Sequence, residues 1–282
     1  MHIYRLILYL TLAISSCAHA YMQLEGEYYL AKKPKTHQEA GNQDFENNQA
    51  ISSQIKSKLR PYVIPDRHPQ KPFLDLLFGG RRVTQNETAF ISAGFHIISK
   101  QPRSFIYVAS HPLLPDYLVK VYMDTELRLK RDKPSWSWLR QRCIGAKKIR
   151  KIIKKKNIKH FTVASKWIYP LPDTHLPPKD KKHTTHLAIL LVEDMQLVSK
   201  EINLEMWRHA VTEEVLDELY SILTLAKGSS YRPDNIWYTK NNTFAFIDTE
   251  YPTADPDYYS IRKYLNQEMR IYWDALIKNS LR

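Results

Sequence analysis

Three side chains in this 282-residue chain have the types and spacing to handle charged ligands. Lys120 is the lone cation of the apolar run 117–123 (YLVKVYM). Asn235 and Asp248 stand near the two ends of 233–250 (PDNIWYTKNNTFAFIDTE). A lysine offers an ammonium to an anion, and amide and carboxylate oxygens suit a hard cation. Taken singly, Lys120 reads as a strand lysine reaching for solvent, and Asn235 and Asp248 read as turn caps. The placement of the last two on both flanks of one hairpin favours a shared site over two unrelated caps.

The elements that must position them follow from patterning. Segments 95–99 (FHIIS), 105–109 (FIYVA) and 117–123 are short and rich in β-branched and aromatic residues, with turn material at 101–103 and 111–116. They predict three antiparallel strands. A helix is expected over 135–157, then strands over 161–169 and 186–193 (HLAILLVE), with a polar loop holding Pro177 and Pro178 between them. Thr212 is a helix N-cap with Glu213 and Glu214 in the first turn, and Gly228 sits where a glycine stop belongs. Strands 236–239 and 243–247 flank an Asn241-Asn242 turn. A tail helix over 258–281 puts Ile261, Leu265, Met269 and Trp273 on one face. Residues 21–75 have weak periodicity and end in Pro61, Pro65, Pro69 and Pro72, so they read as a polar extension, partly helical at best.

This order of elements resembles the protein-kinase-like fold over roughly residues 90–255. The fold class expected is therefore α+β: a small antiparallel-sheet N-lobe (about 90–195) and a reduced helical C-lobe (about 196–282) in a domain spanning 76–282. The resemblance implies that Lys120 holds nucleotide phosphates, as the third-strand lysine of that family does. Glu193-Asp194-Met195 looks like the hinge that meets adenine, which makes Glu193 and Met195 cofactor contacts. Asn235 matches the metal-binding asparagine at the end of the catalytic loop. Asp248 in IDTE looks like the family's magnesium-binding aspartate. ATP and Mg²⁺ are the cofactors so implied.

The departures are as informative. The family's catalytic aspartate falls on Ser230 and its preceding histidine on Gly228. A serine hydroxyl is no carboxylate base at neutral pH, and Asp234 is a fallback whose family position is not catalytic. The first hairpin turn, Gln101-Pro102-Arg103-Ser104, has no glycine-rich loop. The helix expected to give Lys120 a glutamate partner offers Gln141 and many lysines. The catalytic residues are therefore unknown. The expectation is a degenerate, pseudokinase-like protein that binds nucleotide without conventional protein-kinase activity. An atypical metal-dependent phosphotransferase or nucleotidyl transferase, and a non-catalytic basic binding protein, are the alternatives.

A formal net charge of +13 favours an acidic protein or an anionic surface as partner. The densest basic run, 147–159 (KKIRKIIKKKNIK), has Ile149, Ile152 and Ile153 spaced for one buried stripe, so its lysines read first as a solvated face. No zinc-ligand spacing, helix-turn-helix or aromatic RNA-binding pattern points to nucleic acid. Arg5, the short apolar run 6–14 and Ala18-His19-Ala20 read as a signal peptide over residues 1–20. The run is too short to span a bilayer, which takes about 20 apolar residues. Cys17 gives a minority reading as a lipid-anchored cysteine. Only Cys143 lies beyond the signal, so no internal disulfide is expected in this periplasmic or secreted protein. Cleavage is expected after Ala20. N-terminal sequencing of the exported protein should begin at Tyr21; a start at a lipid-modified Cys17, or at Met1 in the cytosol, would refute it.

Overall fold

A computed structural model describes residues 43–280. The proposed signal, Cys17 and residues 21–42 lie outside the described residues. The chain is of the α+β class. It runs α1 (Gln43–Asn47), α2 (Ser53–Leu59), a 3₁₀ turn (Arg60–Tyr62), α3 (Lys71–Gly79), α4 (Glu87–Ser92), β1 (His96–Gln101), β2 (Ile106–Ser110), β3 (Tyr117–Val121) and α5 (Ser135–Lys156). It continues with β4 (Phe161–Val163), β5 (Lys166–Pro170), β6 (Ala188–Glu193), α6 (Lys200–His209), α7 (Glu213–Ala226), β7 (Ile236–Tyr238), β8 (Phe244–Phe246), α8 (Tyr259–Arg262) and α9 (Gln267–Ser280).

Five strands form an antiparallel sheet in the order β1-β2-β3-β6-β5. Its interior strand β6 is a continuous apolar run because both faces are covered. Ile189 and Leu191 pack with Leu74, Phe78 and Phe90 of α3 and α4. Ala188, Leu190 and Val192 pack on the other side with Leu139 and Cys143 of α5 and with Phe45, Ile51 and Leu59 near the start of the described chain. The third core joins Ala146 and Ile149 of α5 to Trp207, the apolar stripe of α7, the small sheet β4-β8-β7, and Trp273. One helix, α5, thus backs the large sheet with its first half and the helical part with its second. Its exit is an αL turn at Asn157 (φ 52°), a residue type that tolerates that conformation.

Several expectations change in detail. The stretch read as a polar extension is, from residue 43 on, folded into the body: Phe45, Ile51, Leu59, Ile64 and Leu74 are all buried. These apolar residues are spaced too irregularly among polar ones to show a period. The single strand expected over 161–169 is two, β4 in the small sheet and β5 in the large one. Ser165 makes the corner, its carbonyl accepting the Glu193 N–H and its own N–H donating to the Glu193 carboxylate. The tail helix breaks before α9, where Asn266 Oδ1 accepts the Met269 N–H as a new cap. The four residues predicted on its face still bury. The residue of positive φ after α7 is Lys227 (φ 50°) rather than Gly228; a side chain at Gly228 would run into the Tyr231 ring. Ile149 is buried and Ile152 and Ile153 pack on the same core, while Lys147, Lys151, Lys154, Lys155 and Lys156 are exposed. Among the described residues no helix is long and apolar enough to cross a membrane.

Phe45 tests whether the early helices belong to the folded unit. Truncating a buried aromatic to alanine removes transfer energy and leaves a cavity. Phe45→Ala should lower unfolding free energy by about 3–5 kcal/mol in denaturant melts. An unchanged midpoint would mean that this segment does not contribute to the fold.

Candidate functional site

Strand alternation aims two lysines at one place. On β3, Val119 and Val121 face α3 and α4, so Lys120 faces the α5 side. On β5, Ile168 packs on the α5 side and Lys166 shares its face. Both ammoniums reach the main chain just after β8: Lys120 Nζ donates to the Ile247 carbonyl at 3.5 Å, and Lys166 Nζ donates to the same oxygen at 3.2 Å. Lys166 also donates to Thr249 Oγ1 at 2.8 Å, and that hydroxyl donates to the Arg142 carbonyl of α5 at 2.6 Å.

The segment 247–250 can lie this close to α5 because Gly145 has no side chain; a Cβ there would collide with the Thr249 carbonyl. One turn earlier, Arg142 is buried at 1% exposure at the junction of sheet and helical core. Its Nε lies 3.3 Å from Asp248 Oδ1, and its Nη2 pairs with Glu250 Oε1. Lys130, from the loop before α5, donates to Glu250 Oε2 at 2.5 Å. The Tyr122 hydroxyl lies against the Arg142 guanidinium, and the buried Tyr231 Oη lacks a hydrogen-bond partner here.

The charges answer to this crowding. Burial disfavours the Asp248 carboxylate, but Arg142 first, then Lys120, Lys166 and Lys130, outweigh that and hold its pKa well below the usual carboxylate range. Burial lowers the pKa of Lys120, with Arg142 adding to the effect and Asp248 opposing it. Lys166 falls to about 7, through burial and then the repulsion of Lys120. Burial pushes the Cys143 thiol up to about 12, so it is an unreactive core residue.

Lys120 reaches the main chain beside Asp248, whereas Asn235 stands next to that segment through its backbone alone. The Ile247 N–H donates to the Asn235 carbonyl at 2.9 Å, which sets Asn235 opposite the residue before Asp248. Its side-chain amide donates to the Ser230 carbonyl at 2.8 Å. Ser230 itself is buried, its hydroxyl donating to the Glu250 carbonyl, so it is not presented as a base. Asp234 accepts from Tyr264 and belongs to the packing of the tail. Glu193 lies at the end of β6 with its carboxylate accepting the Ser165 N–H at 3.0 Å, facing scaffold. Met195 packs its side chain on the core behind the sheet. The functional residues missing from the sequence reading are Arg142, Lys166, Glu250 and Lys130. The first two had a signal: Arg142 lies on the buried stripe of Leu139, Ala146 and Ile149, and Lys166 shares a strand face with Ile168.

The Mg²⁺ implied by the resemblance does not fit these residues. A hard divalent ion needs several oxygens, anionic ones foremost. Asp248 Oδ1 is already taken by Arg142 and by the Glu250 N–H at 3.3 Å, and four side-chain cations face the carboxylate. A second group of ligand-type side chains, His160, Glu214 and Glu218, lies elsewhere on the helical part. Its Glu218 oxygens accept the N–H groups of Lys159 and His160 at 2.9 Å each, closing the turn after α5.

Lys166 gives this site a measurable pH signature. Its pKa drops from 10.5 to about 7 on folding, so between those values the unfolded chain holds the extra proton and stability rises with pH. The penalty is fully present below about pH 7 and relieved toward pH 10. Lys166→Met should remove this slope. The wild type should gain on the variant by up to about 1.4 kcal/mol per pH unit across that window, read by denaturant melts. A difference independent of pH would show that Lys166 stays charged.

No protein-family model matches the chain, and a search of curated proteins finds no match.

Proposed function

We propose that this is an exported kinase-like protein that binds the phosphates of a nucleotide and lacks ordinary phosphotransfer. The observation that carries the reading is the meeting of Lys120 on β3 with the Ile247–Asp248 segment, 127 residues away in sequence. An antiparallel sheet followed by a helical part, with a strand lysine and a hairpin-end aspartate at their junction, is what the kinase resemblance implies. Charge supports an anionic ligand: Lys120, Lys130 and Arg142, with Lys166 only partly charged near pH 7, outnumber Asp248 and Glu250. Glu193 ends β6 and Met195 follows it, and among the described residues the Met195 backbone N–H makes no hydrogen bond. That N–H is free for the edge of an adenine. The buried hydroxyl of Ser230, bonded to the Glu250 carbonyl, supports the loss of turnover.

Calorimetry with ATP tests this. Wild type should bind, and Lys120→Ala should weaken binding at least about tenfold, since a charge-assisted bond contributes about 1.5–3 kcal/mol. Labelled phosphate or AMP should not be transferred to protein substrates. Absence of ATP binding by folded wild type would overturn the reading, and stoichiometric transfer would replace it with the phosphotransferase alternative.

A further inference from the structure

In a metal-dependent phosphate site, a divalent ion stands between an aspartate and the phosphates and balances both. Here a cation already stands at the aspartate, and it is part of the fold. Arg142 is buried and tied to Asp248 through Nε and to Glu250 through Nη2. Lys130 covers the other oxygen of Glu250. Both carboxylates are thereby matched inside the protein. Lys120 and Lys166 remain, with no carboxylate of their own; their hydrogen bonds go to a carbonyl and a hydroxyl. Of the two, Lys120 is only partly buried, and Asp248 beside it keeps 27% of its side chain exposed.

We propose that Arg142 takes the place of the metal ion, so that this site binds the polyphosphate of a nucleotide on Lys120 without any divalent cation. The proposal rests on the nucleotide-binding reading and adds the form of the ligand: the metal-free nucleotide. Arg142 is a positioning residue in this scheme. It acts through Asp248, cancelling a charge that would otherwise repel phosphate and attract metal.

The experiment is calorimetric titration of the full chain with ATP in EDTA and again with millimolar MgCl₂. Binding in EDTA should be at least as tight as in magnesium. Asp248→Asn should keep or strengthen binding in EDTA, because it removes a negative charge and leaves Arg142 paired with Glu250. Arg142→Gln, if it folds, should bind more weakly in EDTA and be rescued by magnesium, a response that simple loss of packing would not give. Binding by the wild type only with magnesium, abolished by Asp248→Asn, would overturn this proposal and leave nucleotide binding standing. Failure to bind ATP in either buffer would overturn both.

Discussion

The fold turns on one buried guanidinium. Removing a charge from water costs several kcal/mol, and a charge buried without its partner destabilises by about 3–5 kcal/mol. Arg142, at 1% exposure on α5, therefore requires carboxylates, and the chain brings Asp248 and Glu250 from 106 and 108 positions downstream. Meeting that requirement fixes the course of residues 247–250 along the helix. Gly145 allows the approach, Thr249 Oγ1 ties it to the Arg142 carbonyl, and Lys166 draws it toward β5. Since α5 also backs the sheet through Leu139 and Cys143, one ion-pair cluster sets the sheet and the helical part relative to each other.

The same cluster decides the chemistry available. Four basic side chains, Lys166 among them only partly charged near pH 7, and two carboxylates in a partly dry junction leave a positive residue of charge, and electrostatic forces act there with less screening than at the surface. Lys166 yields to that field by losing affinity for its proton, whereas an arginine cannot do so and keeps its charge. A site of this composition attracts anions and repels metal ions. Its polarity comes from the interior rather than from the lysine-rich exterior of α5.

The strands and the main helices were legible in the sequence because burial there is one-sided or complete. The alternation of 117–123, the apolar run 188–193 and the Thr212-capped stripe of α7 each signal one structure. The early segment was not legible: Phe45, Ile51, Leu59 and Ile64 enter the core from separate short elements and turns, so no helical period accumulates among them. The closeness of the Asn235 and Asp248 backbones across one hairpin was readable from its spacing. The magnesium assignment was not, because it depends on what stands across from Asp248, and that is set by tertiary contact. Arg142 was hidden by composition. Among the lysines of α5 it looks like one more surface cation, and only its phase with Leu139, Ala146 and Ile149 separates it from them.

That phase explains why this site differs from the pattern it resembles. The resemblance implies a helix that gives a carboxylate to the strand lysine and leaves the hairpin aspartate for a metal. Here the helix presents Gln141 at partial exposure and turns Arg142 inward. The helix cation then pairs with the aspartate, and the strand lysine is left without a side-chain counter-ion. The geometry of three elements meeting is kept while the charge contributed by one of them is reversed. Arg142 changes the partner each remaining group has: the aspartate meets a guanidinium, and Lys120 bonds to the Ile247 carbonyl.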